Sequence, residues 1–311
     1  MTYRHIPVLL NEVLEGLSIK TGTYIDCTLG GGGYTFAIAK KLKDKGRVIA
    51  IDADELALAN AQKIIESQKI DNVTLVHNNF RHLAEIASEY ADNQVAGIVF
   101  DLGLSSAQLD DESRGFSFQS NRPLDMSFGI GAKKSTVDLL RTASVPELSN
   151  IFREYGEEPR AYRLAKAIDA TRKEKKIKST GDLLDIITKN LPARAKNERV
   201  HPATKIFQAL RMATNDEIDS LKSALQVTPE ILIKGAKIAV VSFHSGEDRV
   251  VKNYFRKESK DCICPSSVPL CVCNHKANFK ILNKKPITAS LEELEQNPRS
   301  RSAKLRLAEK I

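Results

Sequence analysis

Four consecutive glycines, Gly30 to Gly33, follow Asp26-Cys27-Thr28-Leu29, and two further acids, Asp52 and Asp101, each close a short β-branched run. Glycines between a strand and a helix let a ligand approach the main chain without meeting Cβ atoms. An acid about 20 residues downstream, the place of Asp52, sits where it can accept hydrogen bonds from ribose hydroxyls. Together these features describe a site for an adenosine-containing cofactor. A nicotinamide dinucleotide and S-adenosylmethionine both fit, and two details favour the second. Asp26 opens the loop, and a carboxylate suits the cationic amino-acid end of a sulfonium donor better than a dianionic pyrophosphate. Thr35 also stands where the last small residue of a G-x-G-x-x-G turn would pack. Phe80 is placed to cover an adenine face, with Asp101 and Gln108 completing the pocket.

A second constellation lies near the C-terminus. Cys262-Ile263-Cys264 and Cys271-Val272-Cys273-Asn274-His275 bring four thiols and an imidazole into one short stretch. Zinc favours four soft ligands in a closed tetrahedron, and the loop from Pro265 to Leu270 can bring the two pairs together. An unmetallated reduced cluster and a redox role stay open beside structural zinc. C-x-C spacing is less diagnostic than C-x-x-C.

The elements that must position these residues alternate in type. Thr23–Thr28, Arg47–Ile51, Val73–Val76 and Gly97–Phe100 have strand character, and helical periods fill about residues 34–42, 55–67 and 81–90 between them. That pattern predicts a parallel sheet covered by helices, with the chemistry-bearing residues at the C-terminal ends of the strands, where open α/β sheets bind ligands. Residues 102–130 break the pattern with Gly, Ser, Asp and Pro. Residues 135–211 read as helices interrupted at Pro146, Pro159, Pro192 and Pro202. Strand character returns at Ala236–Phe243, after a helix over about residues 215–225. The expected fold is therefore α/β and Rossmann-like, interrupted by an α-helical domain. Residues 1–105 and 213–311 form the two parts of the main domain, and 106–212 form the insertion.

The 311 residues are 42% hydrophobic and 28% charged, an ordinary globular composition. No stretch approaches the ~18 apolar residues that would span a bilayer, and the N-terminus lacks a signal-peptide hydrophobic region. A cytoplasmic protein with no membrane partner is expected, and its five cysteines should remain reduced. The net charge of +8 is unevenly spread. Residues 160–211 hold 14 Lys/Arg against 5 Asp/Glu, and residues 249–311 hold 14 against 6. Such blocks concentrate potential where a polyanion docks, although solvated helix faces share this composition.

Across nearly its whole length the chain resembles the ribosomal small-subunit cytosine-N4 methyltransferases, the MraW or RsmH family. The resemblance rests on residues 5–14, the glycine loop, and the blocks at 100–110, 114–118, 123–126, 201–211, 242–249 and 297–304. It implies a class I S-adenosylmethionine-dependent methyltransferase domain, with the inserted helices contacting RNA. It further implies transfer of a methyl group to the exocyclic N4 of a cytidine in 16S rRNA, in the decoding region of the small subunit, and leaves a homodimer open. Carried over by motif, Gly32, Gly33, Tyr34, Asp52, Phe80, Asp101 and Gln108 contact the cofactor. Tyr34 and Thr35 stand where the family usually has His and Ser, Gly246 where Leu is common, and Ser127 where Arg is common. The family does not require the cysteine cluster.

Methylation of an amine is an in-line displacement governed by alignment, with no covalent enzyme intermediate. A C5 methyltransferase would need a cysteine nucleophile beside the base, but Cys27 lies in the first strand and the other cysteines are clustered elsewhere. Asp101 is the candidate acceptor for the amine hydrogen, although the Asp/Asn-Pro-Pro-aromatic motif of many amino methyltransferases is absent. His244 either orients RNA from the same rim or is a structural histidine. Arg299, Arg301, Lys304 and Arg306 suit phosphates, or pair with Glu292, Glu293 and Glu295. The rival readings are a nicotinamide-dependent oxidoreductase, a non-catalytic ribosome assembly factor, and an amino methyltransferase acting on DNA or another RNA.

Overall fold

The computed structural model describes residues 7–105, 108, 109, 111–132, 134–190, 201–265 and 270–311. Pro192, the basic residues Arg194, Lys196 and Arg199, and the interior of the loop between the cysteine pairs lie outside them. The chain divides into two compact units. One holds the described residues up to Gly103 together with Ile218–Ile311, and the other is Leu104–Glu217.

The first unit is built on a seven-stranded sheet: β1 (Gly22–Asp26), β2 (Gly46–Asp52), β3 (Val73–His77), β4 (Val95–Asp101), β5 (Leu232–Ser242), β6 (Phe279–Ile281) and β7 (Lys304–Lys310). Their order is β3-β2-β1-β4-β5-β7-β6. β1 to β5 run parallel, while β7 runs antiparallel between β5 and β6. The dinucleotide-binding order 3-2-1-4-5-6 has no such wedge. Sequence reading found the first five strands but not β6 or β7. Lys304-Leu305-Arg306-Leu307 alternates charge with leucine, and the charges alone suggested a phosphate-binding tail.

Helices of this unit are α1 (Leu10–Leu17), α2 (Gly33–Leu42), α3 (Glu55–Gln68) and α4 (Leu83–Ala91). Alternate strand residues face opposite sides of the sheet. Ile25, Ile49, Ile51, Ile98, Phe100, Ile238 and Val240 share a core with Leu83 and Ile86 of α4. Tyr24, Val48, Val99, Ala239 and Val241 share the other with α1 and α2. With both faces covered, the middle strands read as continuous β-branched runs, which is why they are legible in sequence. At about 25 cal/mol per Å² of apolar burial, these two layers are the main favourable term in fixing the strand ends.

The second unit is helical: α5 (Thr136–Thr142), α6 (Val145–Glu154), α7 (Ala161–Glu174), α8 (Thr180–Asn190) and α9 (Pro202–Thr214). Pro146 and Pro202 do not break helices. They occupy first-turn positions, where a missing N–H costs nothing. Ser144 and Glu147 form a reciprocal capping box on α6. Leu148, Phe152, Leu164, Ile168, Leu183 and Phe207 close its core. The first unit resumes with α10 (Glu217–Ile231) and continues with α11 (Ser245–Glu258) and α12 (Leu291–Gln296). Among the described residues no helix is long and apolar enough to cross a membrane.

Candidate active site at the strand ends

The glycine loop is built by its own backbone. Leu29 N–H donates to Ile51 O and Cys27 N–H to Val99 O, so the chain leaving β1 is pinned to both neighbouring strands. Gly32 then adopts φ 79°, a left-handed value that costs other residues roughly 1–2 kcal/mol. A Cβ there would also lie 2.3 Å from the Phe36 ring, and one at Gly33 would lie 2.1 Å from Pro7 Cγ. Gly32 supplies no side-chain cap to α2, which leaves the first-turn amides of that helix at the rim.

Asp26 has a different job from the one its sequence position suggests. It is fully buried. One carboxylate oxygen accepts from Thr35 Oγ1 at 2.6 Å and the other from Thr28 N–H at 3.1 Å. The side chain therefore ties the end of β1 to the first turn of α2 and braces the loop. Burial raises its pKa, and the hydrogen bonds from Thr35 and Thr28 oppose the rise. Tyr34 is likewise turned inward. Its ring is buried and its hydroxyl donates to Val8 O, so only its main chain belongs to the loop.

Asp52 closes the far side of the loop. Its Oδ2 accepts from Gly30 N–H at 2.8 Å, and its Oδ1 accepts from Asp54 N–H at 2.9 Å. Desolvation, aided by the charges of Asp54 and Asp26, outweighs these bonds and lifts its pKa to about 6. Asp54, which sequence reading passed over, caps α3 by accepting from Leu56 N–H. Its signal was available as an acid one residue before the Glu55 that opens the helix. Phe80 follows β3 and packs edge-on to Phe100, with ring centroids 5.7 Å apart.

Asp101 ends β4 beside the loop, its N–H donating to Thr28 Oγ1 at 2.6 Å. Its Oδ1 is buried and no described group hydrogen-bonds to it. A buried, unpartnered carboxylate oxygen is costly, and such an atom calls for a ligand or functional explanation. Burial, with the charges of Asp26 and Glu247, raises its pKa well above the ordinary carboxylate value.

The other expected residues separate into groups. Gln108 lies in the helical unit, where its Oε1 accepts from Ser105 N–H. His244 caps α11, its Nδ1 accepting from Gly246 N–H at 3.0 Å, while Glu247 accepts from Phe243 and His244 N–H. Arg306 is buried against Asp248, with bonds of 2.6 and 3.2 Å, which corrects its reading as a phosphate contact. Glu293 accepts from Leu9 N–H. In the helical unit, α7 exposes Tyr162, Arg163 and Lys166, with Lys166 Nζ 4.9 Å from the Tyr162 ring centroid. Arg172 and Lys173 are paired with Asp169, and Lys175 with Asp182, so part of the basic block is neutralised within its own helices.

The strand order with its antiparallel β7, the glycine turn after β1 and the acids ending β2 and β4 define a Rossmann-like class I methyltransferase. Comparison with known proteins agrees. The model of the MraW methylase family matches residues 2–311, and the chain belongs to that family. It is 46% identical over 310 residues to the Ribosomal RNA small subunit methyltransferase H of Dehalococcoides mccartyi, covering 99% of this chain and 87% of that protein. It is 44% identical to the protein of the same name from Brevibacillus brevis over 312 residues, 100% of this chain and 99% of that one.

Proposed function

We propose that this enzyme transfers a methyl group from S-adenosylmethionine to the exocyclic N4 of a cytidine in 16S rRNA, in the decoding region of the small ribosomal subunit. The observation that carries the reading is Asp101 Oδ1, a buried acceptor with no partner among the described residues, on the strand next to the glycine loop. The relatives named as small-subunit rRNA methyltransferases support the choice of RNA.

The residues present suit the donor. Asp52 offers carboxylate oxygens to ribose hydroxyls, Phe80 an apolar ring to the adenine, and Gly33 and the Tyr34 main chain the open amides of α2, with Gly32 making the turn before them, its own N–H donating to Leu29 O. Those amides attract the carboxylate end of the methionine moiety. When bound, S-adenosylmethionine supplies an electrophilic methyl group on a sulfonium sulfur. Asp101 accepts a hydrogen of the target amine, whose lone pair is otherwise conjugated with the cytosine ring. Its raised pKa strengthens it as a base, and positioned acid–base groups contribute typically 10²–10⁴-fold. The cytosine must be unstacked to reach such a site. Helices 106–212 take the RNA-recognition role. Tyr162, Arg163 and Lys166 on α7 offer an aromatic face and two cations to bases and phosphates.

Nucleoside mass spectrometry of 16S rRNA from cells with and without the protein tests the reading. N4-methylcytidine should vanish from one position in the deletion strain and return with the wild-type gene. Unchanged 16S rRNA, or purified subunits that accept no label from the methyl donor, would leave the assembly-factor reading in its place.

A further inference from the structure

Between Glu258, at the end of α11, and Phe279, which opens β6, none of the described residues is buried. Leu270 and Val272 are 77% and 74% exposed, so the described residues of this excursion have no apolar core beneath them. It is nonetheless organised around sulfur. The Sγ atoms of Cys262, Cys264, Cys271 and Cys273 all lie within 4.8 Å of one another. Two of the separations are 3.6 Å (Cys271 to Cys273) and 3.8 Å (Cys273 to Cys262). Four sulfurs at ~2.3 Å from a tetrahedral zinc stand about 3.8 Å apart along each edge, whereas a disulfide needs about 2.05 Å.

Main-chain donors point at the same sulfurs. Cys273 Sγ accepts from Ile263 N–H, Cys262 Sγ from Cys264 N–H, and Cys264 Sγ from Val272 N–H, at 3.4, 3.4 and 3.5 Å. Amides aimed at sulfur stabilise thiolate over thiol, as outer-sphere donors do at metal–thiolate centres. Asn274 takes φ 50°, a left-handed turn that bends the chain immediately after the last cysteine. His275 is committed elsewhere, its Nε2 lying 3.2 Å from Lys257 O.

We propose that Cys262, Cys264, Cys271 and Cys273 bind one zinc ion as a closed four-thiolate site that holds the segment between α11 and β6 in place of a hydrophobic core. Binding releases the thiol protons to solvent, and neither the cysteines nor the metal changes oxidation state. With all four positions filled by sulfur, no coordination position is left for substrate, so the role is structural. The two ends of the segment are clasped independently by Asn278 N–H donating to Glu258 O at 2.8 Å. Loss of the metal should therefore loosen the segment without unfolding the sheet.

The full-length chain, purified without chelator, should carry about one zinc per chain by inductively coupled plasma mass spectrometry. Cobalt(II) exchanged into the site should give the intense visible bands and sulfur-to-metal charge transfer of a tetrahedral thiolate complex. Cys271→Ser with Cys273→Ser should lower the zinc content at least tenfold while leaving the far-ultraviolet circular dichroism unchanged, and hydrogen exchange should rise over residues 259–278 only. His275→Ala should keep its zinc. Four freely titrating thiols in a chain that takes up no added zinc would overturn the proposal. Iron as the resident metal, two disulfides, or zinc loss in His275→Ala with one cysteine dispensable would overturn it equally.

Discussion

Asp52 couples donor binding to pH, and the sign of that coupling follows from its surroundings. In the protein alone its pKa is raised from 3.8 to about 6, because desolvation outweighs the hydrogen bonds from Gly30 and Asp54. The gap is worth at most about 3 kcal/mol between protonation states, reduced by whatever solvent reaches the rim. A raised pKa means that the folded chain holds this proton more tightly than the unfolded chain. The carboxyl therefore adds stability below about pH 4, and that contribution is lost as pH rises through about 6. Ribose hydroxyls prefer the ionised form, so donor affinity runs the opposite way. It should be constant above about pH 7 and fall by nearly tenfold per unit below about pH 6. Asp52→Asn removes the titration and one of the two acceptors. Losing hydrogen bonds to a charged group costs about 1.5–3 kcal/mol, a roughly 10- to 150-fold rise in Kd near neutral pH. Isothermal titration calorimetry with S-adenosylhomocysteine across about pH 5 to 8 measures both effects. A wild-type affinity that stays flat down to about pH 5, or an Asp52→Asn chain that keeps the acid slope, refutes this account.

Three further outcomes are expected. Gly32→Ala adds a Cβ 2.3 Å from Phe36 at a left-handed φ, so donor Kd should rise at least tenfold in a chain whose circular dichroism is unchanged. Asp101→Asn should slow single-turnover methyl transfer by roughly 10²–10⁴-fold while changing donor Kd far less, and the wild-type rate should climb with pH as the raised carboxyl ionises. Asp248→Ala leaves Arg306 buried without its partner and should lower unfolding free energy by about 3–5 kcal/mol in urea titration, whereas exposed Lys222→Ala should cost less than about 1.

The residue pattern determined a good deal. β1, β2 and β4 are covered on both faces, so their apolar runs and the acids that end them stand out in a linear reading, as do four glycines in a row. The helical character of the insertion and the clustering of its positive charge are equally visible. Other features depend on which groups meet across distant parts of the chain. Lys304–Lys310 becomes an internal strand only because β5 and β6 offer it edges, and that placement buries Arg306 on Asp248. Asp26 looks like a ligand-facing acid until Thr35 and Thr28 close over it, and the Tyr34 side chain like a contact until Val8 takes its hydroxyl and leaves only the main chain at the loop. A side chain's direction is set by packing, and packing is long-range. The same holds for Asp101: its place at a strand end follows from the β-branched run before it, but the burial that leaves one oxygen without a partner among the described residues exists only in the folded chain.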